Sequence, residues 1–211
     1  MTTRIRITFS KTGALRYTGH LDLHSLWERA TRRAGVALAY SNGYHPQPKI
    51  QLASALPLGF SSRCEMLDMW LDTDQPENLQ IRLQAALPPG LVIHQIESVD
   101  ERAPALQTQV IGSDFEVSLL DELDLDALSL RLSTLIEAES LPRERRGKTY
   151  DLRPLIEELT LTLTPAPSLH MRLSAQPSAT GRPEEVLAAL EIPFETTRIE
   201  RTRLIFRNPA P

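Results

Sequence analysis

Two hydrophobic periods alternate along this chain, and they do so in the same order twice. In Arg4-Ile5-Arg6-Ile7-Thr8-Phe9 every second side chain falls on one face, as in a half-buried strand. After the turn at Lys11-Thr12-Gly13, Leu23, Leu26, Trp27, Ala30 and Ala34 follow helical spacing, and Gly35 stands where a helix stops. Short strands are expected at 36–40, 49–53 and 65–72. Asp74-Gln75-Pro76-Glu77 opens a second helix that carries Leu79, Leu83, Ala86 and Leu87, and Pro88-Pro89-Gly90 ends it. Residues 91–99 form a closing strand. The order then recurs: a strand at 115–119 and a helix carrying Leu125, Leu128, Leu132, Leu135 and Ile136. Strands at 159–164 and 170–174, a helix from Pro183 and a strand at 197–206 complete it.

Strand, helix, strand, strand, helix, strand is the split βαβ order. It predicts an α+β chain of two ferredoxin-like (βαββαβ) units, each an antiparallel sheet with both helices on one face. The expected boundaries are a first unit at 1–100, a linker at 101–112 around Ala103-Pro104-Ala105, and a second, degenerate unit at 113–211. No run approaches the roughly 20 apolar residues of a membrane-spanning helix. The opening residues lack the apolar stretch of a secretory signal, and the single Cys64 excludes an internal disulfide or a multi-cysteine metal site. The expected location is cytoplasmic, with no membrane partner, no cofactor and no metal.

Charge is uneven along the chain. Up to Cys64 there are nine Lys or Arg against two acids, on a protein whose net charge is −4. Such a segment either meets an anionic partner or is neutralised by the rest of the chain. Arg29, Arg32 and Arg33 fall on the polar side of the first helix and offer a phosphate-backbone track.

Chemistry concentrates in two stretches flanking that helix. The first is Arg16-Tyr17-Thr18-Gly19-His20-Leu21-Asp22 and the second is Tyr40-Ser41-Asn42-Gly43-Tyr44-His45-Pro46-Gln47-Pro48-Lys49. His20 and His45 are the candidate acid–base groups, because imidazole titrates near neutral pH. Arg16, Tyr17, Asp22, Tyr40, Ser41, Tyr44 and Lys49 are candidates for holding an anionic substrate. Arg143-Glu144-Arg145-Arg146-Gly147-Lys148-Thr149 is a second basic run, with Lys148 and Arg153 as further anion-binding candidates. Its Gly-Lys-Thr is not a phosphate loop, since the position where the first glycine is needed falls near Pro142 and no strong strand precedes it. Motifs for zinc hydrolases, serine hydrolases and dinucleotide binding are missing.

The spaced polar residues carry a resemblance. Arg16-Tyr17-x-x-His20-x-Asp22, then Glu28-Arg29-Ala30-x-Arg32-Arg33-Ala34-Gly35, then Tyr40-Ser41-x-Gly43-Tyr44-His45-Pro46-x-Pro48-Lys49-Ile50 resemble the bacterial radical-SAM-linked proteins, a family of unknown function. Gly59, Ser62 and Glu65 continue the pattern, while Gly19 departs from the serine often found before the histidine. The resemblance implies a radical SAM protein as partner. This chain lacks the CxxxCxxC that would ligate an iron–sulfur cluster, so it is not that enzyme. The expected function is a non-enzymatic accessory module that binds RNA or another anionic substrate. Two alternatives stand beside it. One is a metal-independent endoribonuclease resembling CRISPR repeat-processing enzymes, with His20 or His45 deprotonating a 2′-hydroxyl. The other is a protein-interaction scaffold.

Overall fold

A computed structural model of the chain describes residues 2–74, 76–145, 147–176 and 179–207. Gln75 of the expected helix start and Arg146 of the basic run lie outside the described residues. The chain divides into two compact units, Met1–Val110 and Ile111–Pro211. Both are mixed α+β and mainly antiparallel, and five α-helices fall among the described residues. None of these is long and apolar enough to cross a membrane.

The first unit runs β1 (Thr3–Lys11), a 3-10 turn (Gly13–Tyr17), α1 (His20–Arg33), β2 (Ile50–Leu52), β3 (Ser61–Leu71), α2 (Leu79–Ala86), β4 (Leu91–Val99) and α3 (Leu106–Gln109). Its strands lie in the order β2-β3-β1-β4, and each pairing is antiparallel. Alternation in β1 sends Ile5, Ile7 and Phe9 to the side on which α1 packs. There the Phe9 and Trp27 rings meet edge to face with centroids 4.9 Å apart. Leu23 joins them, and Leu67, Met69 and Leu71 of β3 complete the layer. Ile5, Ile7 and Phe9 of β1 thus make the core, and Arg4 and Arg6 fall on the opposite face.

Arg4 and Arg6 are on that second face and are only 2% exposed. Register sets Arg6 opposite Asp68, which is fully buried and accepts from both arginines. Arg6 Nε donates to Oδ1 at 2.8 Å, and Arg4 Nη2 donates to Oδ2 at 2.6 Å. Arg4 also donates to the carbonyls of Ala103 and Pro104 and lies 4.9 Å from the Trp70 ring centre.

Three local expectations meet specific obstacles. The strand at 36–40 reduces to isolated bridges, Leu38 to Leu71 and Tyr40 to Pro48, because Pro46 and Pro48 have no N–H to give a ladder. The second helix begins at Leu79, after Asn78 adopts a left-handed φ of 55° that breaks the helical run. Residues 106–119, part of which was expected as linker, hold α3 and β5 (Val110–Leu119).

In the second unit β5 is followed by α4 (Leu125–Glu137), β6 (Pro142–Arg145), β7 (Lys148–Asp151), a 3-10 turn (Arg153–Leu155) and β8 (Ile156–Thr162). Then come β9 (Ser168–Gln176), β10 (Ala179–Thr180), α5 (Pro183–Ala189), a 3-10 turn (Phe194–Thr196) and β11 (Thr197–Phe206). Asp124 caps α4 by accepting from the Asp126 and Ala127 N–H groups. β8 and β5 flank β9, both antiparallel to it, β5 neighbours β11, and β10 pairs with the end of β9. The polar 143–153 stretch is the β6–β7 hairpin. Asp114 on β5 sits opposite Arg172 on β9 and also accepts from Arg203 Nε at 2.8 Å.

Candidate functional site

Gly19 caps α1 with no side-chain bond, so the helix entry leaves room around His20, its exposed first residue. Asp22 lies in the first turn, where a carboxylate favours the positive end of the helix dipole. Asp22, Leu26, Arg29 and Arg33 recur at intervals of four, three and four, which places them in one stripe away from the buried Leu23, Trp27 and Ala30. That stripe lines a groove of about 530 Å³ with Arg32, Thr18 and Pro88.

The three arginines are not equivalent. Arg32 pairs with Glu28 one turn back at 2.7 Å while remaining 69% exposed. Arg29 donates from Nε to the Ser25 carbonyl at 3.2 Å, which uses one of its donors and none of its charge. Arg33 is exposed, and among the described residues no hydrogen bond or ion pair holds its guanidinium. The groove therefore offers guanidinium donors already gathered on a rigid helix, the geometry that binds carboxylate or phosphate oxygens.

The other candidates fall into separate groups. Arg16 donates to the Tyr17 hydroxyl at 2.8 Å, with its guanidinium 4.7 Å from the centre of that ring. Tyr40, Ser41, Tyr44, His45 and Lys49 share the loop between α1 and β2, and all but Ser41 are exposed. Lys148 and Arg153 belong to the second unit. Lys148 is exposed on β7, whereas Arg153 donates to the carbonyls of Ile136 and Ile156 at 2.9 and 3.0 Å and so ties α4 to the start of β8. Its neighbour Asp151 accepts from the Leu141 and Arg153 N–H groups, and these bonds hold its carboxyl below the usual value. In the same unit burial raises the pKa of Glu185, against the lowering influence of the Arg145 and Arg143 charges.

The early excess of positive charge is largely answered inside its own unit. Counted over Met1–Val110, eleven Lys or Arg meet ten Asp or Glu. Arg4, Arg6 and Lys11 are buried, with Lys11 donating to the Thr18 carbonyl at 3.0 Å. Of the nine cations up to Cys64, those not buried are Arg16, the α1 arginines, Lys49 and Arg63. Sequence reasoning identified the arginines of the groove but not its other walls, Thr18, Leu26 and Pro88. Pro88 in particular reaches the groove from the far end of α2, a proximity that no local pattern encodes.

Comparison with known proteins gives a likeness of fold and a family. One chain of a solved structure described as the crystal structure of a Cbf5-Nop10-Gar1 complex aligns with 97% of this chain at a TM-score of 0.52 and 7% identity. This is a likeness of fold, and this chain spans 50% of that one. The crystal structure of an unknown protein from Galdieria sulphuraria aligns over 97% of this chain and 99% of its own, at a TM-score of 0.29 and 12% identity, and carries no argument. A search of curated proteins returns no match. Residues 4–183 match the family described as "Uncharacterized protein conserved in bacteria (DUF2344)". By that match over most of its length, the chain belongs to the bacterial DUF2344 family.

Proposed function

We propose that this protein is a non-enzymatic accessory module that binds RNA through the arginine groove of α1 and works beside a radical SAM partner. The observation that carries the reading is the gathering of Arg29, Arg32 and Arg33 in one groove, with Arg33 lacking an ion pair among the described residues and Arg29 donating only to a carbonyl. Strand order supports the architectural half of the proposal. The order β2-β3-β1-β4 is that of a ferredoxin-like unit, and β8-β9-β5-β11 repeats it. The partner follows from the resemblance carried by the 16–22, 28–35 and 40–50 motifs.

The test is binding of a single-stranded RNA at several salt concentrations. Each phosphate neutralised contributes a slope of roughly −0.7 in log affinity against log salt. Arg29→Gln, Arg32→Gln and Arg33→Gln together are expected to flatten the slope by up to about two. The fold survives, because Leu23, Trp27 and Ala30 hold the helix to the sheet. An unchanged slope refutes the groove as an RNA track. Cleavage of the bound RNA that disappears in His20→Ala would replace the accessory reading with the ribonuclease.

A further inference from the structure

The loop between α1 and β2 is clamped at its base and bare at its tip. Tyr40 and Pro48 face each other as an isolated bridge. The Ser41 N–H donates to the Gln47 carbonyl at 2.8 Å, and the Gln47 N–H donates back to the Ser41 hydroxyl at 2.9 Å. The Lys49 N–H closes onto the Ala39 carbonyl at 2.9 Å. Pro46 and Pro48 fix two further φ angles. Beyond the clamp Tyr44 is 102% exposed, so its ring is neither core nor cover. His45 beside it and Tyr40 and Lys49 at the base are exposed as well.

Charge selects what such a tip fits. From Arg29 to Cys64 the chain contains no Asp or Glu, while Arg29, Arg32, Arg33, Lys49 and Arg63 fall in that stretch. Protein surfaces carry both signs, and this stretch has no acid of its own to pair with a partner protein's cations. A nucleic acid carries one sign, and its unpaired bases present the flat π faces that aromatic side chains stack on regardless of sequence. In a duplex those faces are hidden.

We propose that the 41–47 loop is a stacking platform for the unpaired bases of single-stranded RNA, with Tyr44 taking a base and Lys49 an adjoining phosphate. It rests on the RNA reading above and narrows the ligand class: the strand is single. The clamp fixes the base of the loop before the ligand arrives, which lowers the ordering cost of binding.

The test uses anisotropy of a labelled oligouridylate of about twelve nucleotides, within the span of known single-strand sites. An abasic strand of the same length and a blunt duplex serve as the other probes. Tyr44→Ala is expected to weaken oligouridylate binding by about five- to a hundred-fold, the effect of losing one stacked base. The salt slope stays unchanged, as does binding of the abasic strand and the duplex. Tyr44→Phe keeps the ring and retains wild-type affinity. Full exposure of Tyr44 makes both variants fold normally, which an unchanged far-UV spectrum checks. Wild-type affinity in Tyr44→Ala overturns the platform and leaves the arginine groove standing if the triple Gln variant still loses salt dependence. Equal weakening on all three probes overturns it too. Loss of the radical SAM partner with RNA binding intact would make the loop a protein-docking arm instead. Absence of RNA binding by the wild type overturns both proposals.

Discussion

Asp68→Asn removes one charge from a site where three charged groups are shut away from water. Asp68 is fully buried, and both Arg4 and Arg6 are 2% exposed. Four hydrogen bonds end on its two oxygens, at 3.0 and 2.6 Å from Arg4 and 2.8 and 3.2 Å from Arg6. Asparagine matches the shape but can accept on one oxygen only, and its amide donors face guanidinium donors. Two cations then lie buried with no counter-charge. Breaking a buried pair in this way costs about 3–5 kcal/mol, a large share of the roughly 5–15 kcal/mol that holds a domain folded. At about 2–4 °C per kcal/mol for a chain of this size, Tm falls by roughly 6–20 °C. Calorimetry and urea titration of the purified variant measure it. Replacing the whole set (Arg4→Met, Arg6→Met and Asp68→Leu together) is expected to cost less than Asp68→Asn alone, since no orphan charge remains. A loss below about 1 kcal/mol in Asp68→Asn, or a triple variant less stable than the single, refutes the claim that charge balance holds this face.

Asp114 gives a pH-dependent counterpart. Burial alone would raise its pKa, but hydrogen bonds and charge from Arg172 and Arg203 outweigh that and hold it below the ordinary 3.8. A lowered carboxyl pKa adds stability that is complete above the unfolded value and is lost as pH falls through the folded one. The stability gap between wild type and Asp114→Asn is thus expected to be flat from neutrality to about pH 5 and to close below 3.8. A gap that widens in acid would contradict the assignment. Gly90→Ala tests a close backbone approach. Gly90 has φ +98°, and an added Cβ would stand 2.6 Å from the Thr12 carbonyl oxygen, so strain and overlap together are expected to cost about 2–4 kcal/mol by denaturant titration. A neutral Gly90→Ala would mean that the turn before β4 moves freely away from β1.

Local periods were legible and long-range pairings were not. Ile5, Ile7, Phe9, Leu23 and Trp27 announce the first core by spacing alone, because strand and helix periods are properties of neighbouring residues. Leu26 fits the same helical stripe, yet it lines the arginine groove, since a stripe's edge residues divide between core and surface. The basic count of the first 64 residues left open whether a partner or the chain itself answers it, since it records the sign of Arg6 but not that Asp68, 62 residues on, pairs with it. The start of α2 depends on one left-handed Asn78 that no periodicity announces. The arginines of α1 were readable because a helix face needs only local spacing. The clamp of the 41–47 loop was not, as its bonds are between backbone groups and one hydroxyl.

Two of the cross-strand ion pairs, Arg6 with Asp68 and Asp114 with Arg172, have opposite polarity. On β1 and β3 the first strand carries Arg6 and its partner Asp68, whereas on β5 and β9 the first strand carries Asp114 and its partner Arg172. A chain with two mainly antiparallel units runs a hazard during folding, that a strand from one unit docks into the other. Here that error announces itself. A β1 strand laid against β9 in the same register would set Arg6 beside Arg172, and β5 laid against β3 would set Asp114 beside Asp68. Like charges set directly opposite each other destabilise a sheet, most where both are buried, as Asp114 and Asp68 are. The two registers thus carry opposite signs at matching places, with Arg6 where Asp114 stands and Asp68 where Arg172 stands, so exchanging the first strands would put like charge against like.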